Sequence, residues 1–387
     1  MYRKLVQKIF KQNRHHDYYD DYESAPAYLD DLKETLQTAT QALDAGDAEG
    51  ALIILQVLFE ETVYEYDGEM DYEGDVAGFI QDLGMPLAEA VLSVELNAQK
   101  RAELQDSLQA TYDELDEYVE SSELDVVFSA LRYGWNEQPA SEMQAEEDDE
   151  DEDIWMAFGA LQQARLNVLE RQGRIDEFLQ LAQTADTHRY VLKLLQLGRM
   201  DEAIAASQKL TSASAILDVS QKLRTAGRLE AAISLAEHGL EQGGYAIHEL
   251  ATWLAPLEEA QGRNDMAVLA YRAAYAAQPA ISLYSHIKRL SGNDWENLRP
   301  ALLQKINEAQ MPQVLTDIHL EEHNWDAAIV LAEKYTWSSN LLEQVSDAVI
   351  PYRPHTPHRL FVRGRWQVCI KRNCFLQAGD SFFSEQV

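Results

Sequence analysis

Gly173-Arg174-Ile175-Asp176-Glu177-Phe178, Gly198-Arg199-Met200-Asp201-Glu202-Ala203, Gly227-Arg228-Leu229-Glu230-Ala231-Ala232 and Gly262-Arg263-Asn264-Asp265-Met266-Ala267 are four versions of one hexapeptide. A degenerate fifth, His323-Asn324-Trp325-Asp326-Ala327-Ala328, follows. The four glycines lie 25, 29 and 35 residues apart. Their chemistry is that of a corner between two helices. Glycine takes the left-handed conformation that ends a helix. The acidic residue after it suits the positive N-terminal end of the next helix. The small alanine that follows lets two helices approach closely.

The hexapeptide resembles the turn of tetratricopeptide repeats, and its uneven spacing makes these irregular relatives. A repeat of this kind decides the fold, since each helix pair must stack on its neighbours to cover its apolar face. The expected class is all-α: an irregular α-solenoid of tetratricopeptide-like helical hairpins.

The residues before the repeat also read as helix. Leu29, Leu32, Leu36, Ala39 and Leu43 recur at steps of three and four between Pro26 and Gly46. Asp47 can cap a second helix carrying Leu52, Leu55, Leu58, Phe59 and Val63. A third stripe runs Leu104, Leu108, Tyr112, Leu115 and Val119. Each stripe needs a partner helix. Pro26 and Pro86 alone interrupt the first 138 residues, none lies between Pro139 and Pro256, and β-branched runs of period two are missing.

Nine of the twelve residues 142–153 are Asp or Glu. A block of like charge repels itself, so this segment reads as an exposed, poorly ordered linker. Six of the 32 basic and two of the 66 acidic side chains fall in 351–387, where Pro351, Pro354 and Pro357 also stop the helical period. The expected organisation is an N-terminal helical bundle (1–141), the acidic linker (142–153), the repeat domain (154–350) and an irregular basic tail (351–387). A shifted reading frame near Pro351 would account for the tail's change of character.

The net charge of −34 weighs against phosphate-rich partners. Nucleic acid and anionic membranes both require clustered Lys and Arg, and here the basic segments are short and terminal. Two cysteines near one end make no disulfide framework. No signal peptide is visible, and no apolar run approaches the ~20 residues of a membrane span. These features predict a cytoplasmic chain.

The search for chemistry yields little. His355, His358, Cys369 and Cys374 are the ligand types for tetrahedral zinc, but H-x2-H followed by C-x4-C is loose and in unusual order. Asp67, Glu69, Asp71, Glu73 and Asp75 alternate like a calcium loop, yet Tyr72 stands where the sixth-position glycine belongs. His15 and His16 close a basic stretch of Arg3, Lys4, Lys8, Lys11 and Arg14 that reads as a frayed amphipathic helix. Gly243-Gly244 lacks the Lys-Ser or Lys-Thr of a phosphate loop, and His248-Glu249 lacks the second histidine of a metalloprotease helix. No catalytic, cofactor-binding or metal residue is assigned, and an enzyme is not expected.

The stretch from Tyr28 to Ile350 resembles the helical region that follows the finger in bacterial SWIM zinc-finger proteins. The residues carrying the resemblance are Leu43-Asp44-Ala45-Gly46-Asp47-Ala48-Glu49-Gly50-Ala51-Leu52, then Ala164-Arg165-Leu166-Asn167-Val168-Leu169-Glu170. The Gly-Arg corners and Leu341-Leu342-Glu343-Gln344-Val345 complete it. The family's finger is C-x-C followed by C-x-H, and neither occurs in this chain. Both ends look cut relative to the family, and no zinc ligand carries over. The resemblance implies a non-enzymatic protein-interaction scaffold, whose acidic surface suits a protein partner with a basic one. Nucleic-acid contact would belong to the absent finger. The alternative is a helical regulatory or sensor subunit with a small-molecule pocket between repeats.

Overall fold

A computed structural model describes residues 3–4, 7–9, 28–66, 74–115, 119, 122–136, 150–335 and 337–353. Among the described residues there is no strand, and helix dominates throughout. The chain divides into two compact units, residues 1–193 and 194–387.

The first unit contains α1 (Tyr28–Asp44), α2 (Ala48–Glu65), α3 (Asp75–Asp82), α4 (Gly84–Ser93) and α5 (Ala98–Tyr112). It continues with α6 (Asp125–Tyr133), α7 (Glu150–Arg171) and α8 (Ile175–Ala185). Helix α4 is its centre. The run Leu87-Ala88-Glu89-Ala90-Val91-Leu92 is buried on every side, as befits a helix that is apolar nearly all round. It packs against α2, α6 and α7. Burying each leucine contributes about 1.5–3 kcal/mol. The α1 and α2 stripes both face this core, with Leu32, Leu55 and Leu58 fully enclosed. Asp47 caps α2 as expected, accepting the Gly50 N–H at 2.9 Å.

Three local expectations need correction. The third stripe is not one helix: α5 stops at Tyr112, and buried Val119 lies beyond that stop. Pro86 interrupts nothing, because it sits in the first turn of α4, where a missing N–H costs little. The acidic linker is shorter than composition implies, for α7 already starts at Glu150. An acidic first turn is compatible with the positive end of a helix dipole. Residues 142–149 lie outside the described residues. Composition places a boundary at 142–153, whereas the compact units divide at 193/194, because α7 packs onto α4 and α6.

After α9 (Thr187–Gln196), the second unit contains α10 (Met200–Ser207), α11 (Ala213–Thr225), α12 (Leu229–Gln242), α13 (Ile247–Ala260) and α14 (Asn264–Ala277). Then come α15 (Ile281–Leu290), α16 (Trp295–Glu308), α17 (Pro312–Glu321), α18 (Trp325–Lys334) and α19 (Ser339–Val349). From α11 onward each helix packs on the next, and α11 also touches α13, α15 touches α17, and α17 touches α19. Pro256 and Pro300 are held inside α13 and α16 rather than ending them.

Every Gly-Arg corner falls at a break between helices. Gly173, Gly198, Gly227 and Gly262 all have φ between +67° and +77°. In each, the N–H of the following arginine reaches the carbonyl five residues back: Arg174 to Leu169, Arg199 to Leu194, Arg228 to Leu223 and Arg263 to Glu258, all at 2.9 Å. This six-to-one bond satisfies a carbonyl orphaned by the helix end. Asn324 to His319 at 2.8 Å repeats it, with His323 itself at φ +57°. The same bond closes two corners the hexapeptide does not mark, Asp47 to Ala42 and Met311 to Ile306. The alanines that follow, Ala203, Ala232, Ala267 and Ala328, are fully buried.

Candidate functional site

Within the first unit the C-terminal end of α4, the start of α5, the end of α6 and the Gly173 corner enclose a cavity of about 470 Å³. Its apolar wall includes Val91, Leu92, Val94, Leu96 and Ala130. Arg101, Arg174 and Glu95 supply its charged groups and Trp135 its aromatic ring.

Trp135, Arg174 and Arg101 are each held. Trp135 donates its indole N–H to the Leu92 carbonyl at 3.0 Å while leaving 41% of its surface exposed. The Arg174 guanidinium lies 4.9 Å from the centre of that ring and forks onto Glu177 at 2.8 and 2.5 Å. Arg174 is therefore neutralised. Arg101 donates through Nη1 to the Leu131 carbonyl at 2.7 Å, and no carboxylate among the described residues pairs with it. Gly134, at φ +54°, lies beside this guanidinium.

Around the cavity the polar groups are structural. Buried Arg165 donates to the carbonyls of Gly134 at 2.8 Å and Asn136 at 2.7 Å, and burial lowers its pKa. Arg171 joins Asp44 and Glu89, each at 2.8 Å, and Asn167 adds a 2.6 Å bond to the buried Glu89 carboxylate.

The second unit carries two polar residues where its corners otherwise hold a core leucine. Leu169, Leu194 and Leu223 each precede their corner glycine by four residues and are buried. Glu258 and His319 occupy the same position in the fourth and fifth copies of the hexapeptide corner. Glu258 has no exposed surface. Its carboxyl is pushed up to about 7 by burial and by the neighbouring Glu237 carboxyl, against the pull of Arg263. His319 keeps its buried Nδ1 without a partner, and burial lowers its pKa. Nearby, Glu322 accepts from Tyr284 Oη at 2.8 Å and Arg299 Nη2 at 2.6 Å, with Lys288 Nζ at 3.4 Å. Those donors outweigh burial and hold its carboxyl down to about 2.

His15, His16, Asp67 to Glu73, His355, His358, Cys369 and Cys374 lie outside the described residues. Asp75 begins α3. Gly243 and Gly244 both have positive φ in the link between α12 and α13. His248 Nδ1 lies 3.1 Å from the Ala274 carbonyl. Among the described residues no group of three or more His, Cys, Asp or Glu is placed to hold a metal, and no helix is long and apolar enough to cross a membrane. Sequence reading missed Arg101, Trp135, Glu258 and His319. The last two had a signal, being polar where aligned corners have leucine. Arg101 and Trp135 had none. No family model matches the chain, and neither does any curated protein.

Proposed function

We propose that this chain is a non-enzymatic protein-interaction scaffold: an irregular α-solenoid of tetratricopeptide-like hairpins, the helical part of a SWIM zinc-finger-type protein acting in the cytoplasm. The observation that carries the reading is the recurrence of one six-to-one corner between packed helices. Such arrays expose long surfaces suited to macromolecular partners. With 66 acidic against 32 basic side chains, the partner surface that complements it is basic. Glu258, the carboxyl most displaced from its usual range, is fully enclosed and has no surface with which to meet a substrate.

Affinity capture on the immobilised chain, followed by titration of each captured protein against salt, tests this. The expected partner is a basic protein whose affinity falls as salt rises from about 50 to 300 mM. Saturable micromolar binding of duplex DNA at about 150 mM salt sinks the reading, since that requires clustered cations.

The cavity of about 470 Å³ favours a second reading, a helical sensor with a small-molecule pocket, though the pocket lies in the first unit and not between repeats. Its size falls within the range of ligand sites, roughly 300–1,000 Å³.

A further inference from the structure

We infer that the cavity of the first unit binds a small organic carboxylate, with Arg101 receiving the carboxylate and Val94, Leu96 and Trp135 packing its body. The inference rests on the sensor reading and names the ligand class for it.

In a chain of −34, most arginines near this site are already neutralised: Arg171 by Asp44 and Glu89, Arg174 by Glu177, Arg189 by Glu170. Arg101 is different. Its one hydrogen bond, to Leu131, fixes the guanidinium and leaves its other donors without a protein acceptor among the described residues. A guanidinium presents five N–H donors in a planar fork that matches a carboxylate. Fixing the group beforehand reduces the ordering cost of binding.

One free arginine matches one negative charge. A phosphate or dicarboxylate would bring a second charge with no second cation to meet it, because Arg174 is committed to Glu177. Glu95, also on the lining, further disfavours a dianion. The remaining wall mixes the aliphatic Val94 and Leu96 and the Trp135 ring with the polar Ser93 and Gln172, and the Arg174 guanidinium lies 4.9 Å from the ring centre. Val94, Leu96 and the Trp135 ring offer contacts to a short aliphatic or aromatic body.

Benzoate and hexanoate are suitable probes, with benzamide and hexanamide as neutral counterparts of the same shape. Calorimetric titration of the full chain should give saturable binding of the acids at least about tenfold tighter than of the amides. Arg101→Gln should abolish that preference while the circular dichroism spectrum stays native, and Glu95→Gln should tighten the acids. If Arg101→Gln does not fold, Arg101→Lys keeps the charge but loses the fork, and should weaken the acids severalfold. Equal binding of acids and amides, or acid binding indifferent to either Arg101 variant, overturns the carboxylate assignment but leaves a sensor pocket. Failure of all four probes to saturate overturns the sensor reading with it. The scaffold reading is untouched by either result.

Discussion

Arg263 Nε lies 2.7 Å from Oε2 of Glu258, across a corner where the three preceding copies place a leucine in the core. The same guanidinium reaches Glu237 Oε1 at 3.1 Å. Two carboxyls therefore share one cation, and the buried one lacks a well-formed hydrogen bond to either oxygen. A carboxylate enclosed in this way is costly to ionise.

Replacing Glu258 by leucine should stabilise the chain. The folded carboxyl titrates near 7 and the unfolded one near 4.5, so the folded state holds its proton more tightly. Stability must then fall as pH rises from about 4.5 to 7. Glu258→Leu removes that fall, and the gain should be on the order of 2 kcal/mol at pH 8 and smaller at pH 5. Urea unfolding at both pH values measures it. An equal or negative effect at pH 8 would show that the ion pair outweighs burial.

His319→Leu should act in the opposite pH window. Burial lowers the folded pKa of His319 beneath 6.5, so the unfolded chain binds the proton better. Stability is then lost as pH falls below about 6.5, and the leucine variant should lose less. Above pH 7 the gain should be about 1 kcal/mol, from removing an unpartnered buried nitrogen. Thermal melts from pH 5 to 8 should give curves that diverge towards acid.

Glu322→Gln should destabilise. The carboxylate takes the hydroxyl of fully buried Tyr284 and the fork of Arg299. Removing one partner of such a network costs about 3 kcal/mol near neutrality. Because the carboxyl is held down to about 2, its contribution is present above pH 4.5 and lost as pH falls towards 2. The gap between wild type and variant should therefore close in acid. A constant gap would mean that shape, not charge, matters there.

Gly239→Ala and Gly227→Ala separate crowding from backbone strain. A Cβ on Gly239 would stand 2.6 Å from Leu250 Cδ2 and 2.7 Å from Ile216 Cγ2, where three helices meet. Overpacking of that kind costs about 1–3 kcal/mol. At Gly227 a Cβ meets nothing within 4 Å, and the penalty comes from φ +77° alone, about 1–2 kcal/mol. Denaturant midpoints should fall in both. In a Leu250→Ala background the cost of Gly239→Ala should shrink, while that of Gly227→Ala should not change.

The sequence alone determined the helices and most of their corners. A corner depends on a glycine at positive φ and on a bond five residues back, both contained in one short stretch. Leucine spacing then fixed which faces of α1 and α2 are buried. Where local signals conflicted, packing decided. Val119 reaches the core beyond the end of its helix, Pro86 starts a helix, and α7 begins inside the acidic run. The corner at Gln310 escaped notice because a non-glycine takes φ +52° there. Glu258 and His319 were legible as polar residues in register with leucine, but their burial was not. The cavity belonged to tertiary structure entirely. Arg101, Trp135 and Arg174 come from three elements separated by dozens of residues. No local energy brings them together; the packing of α4 against α6 and α7, and of α5 against α2 and α6, does.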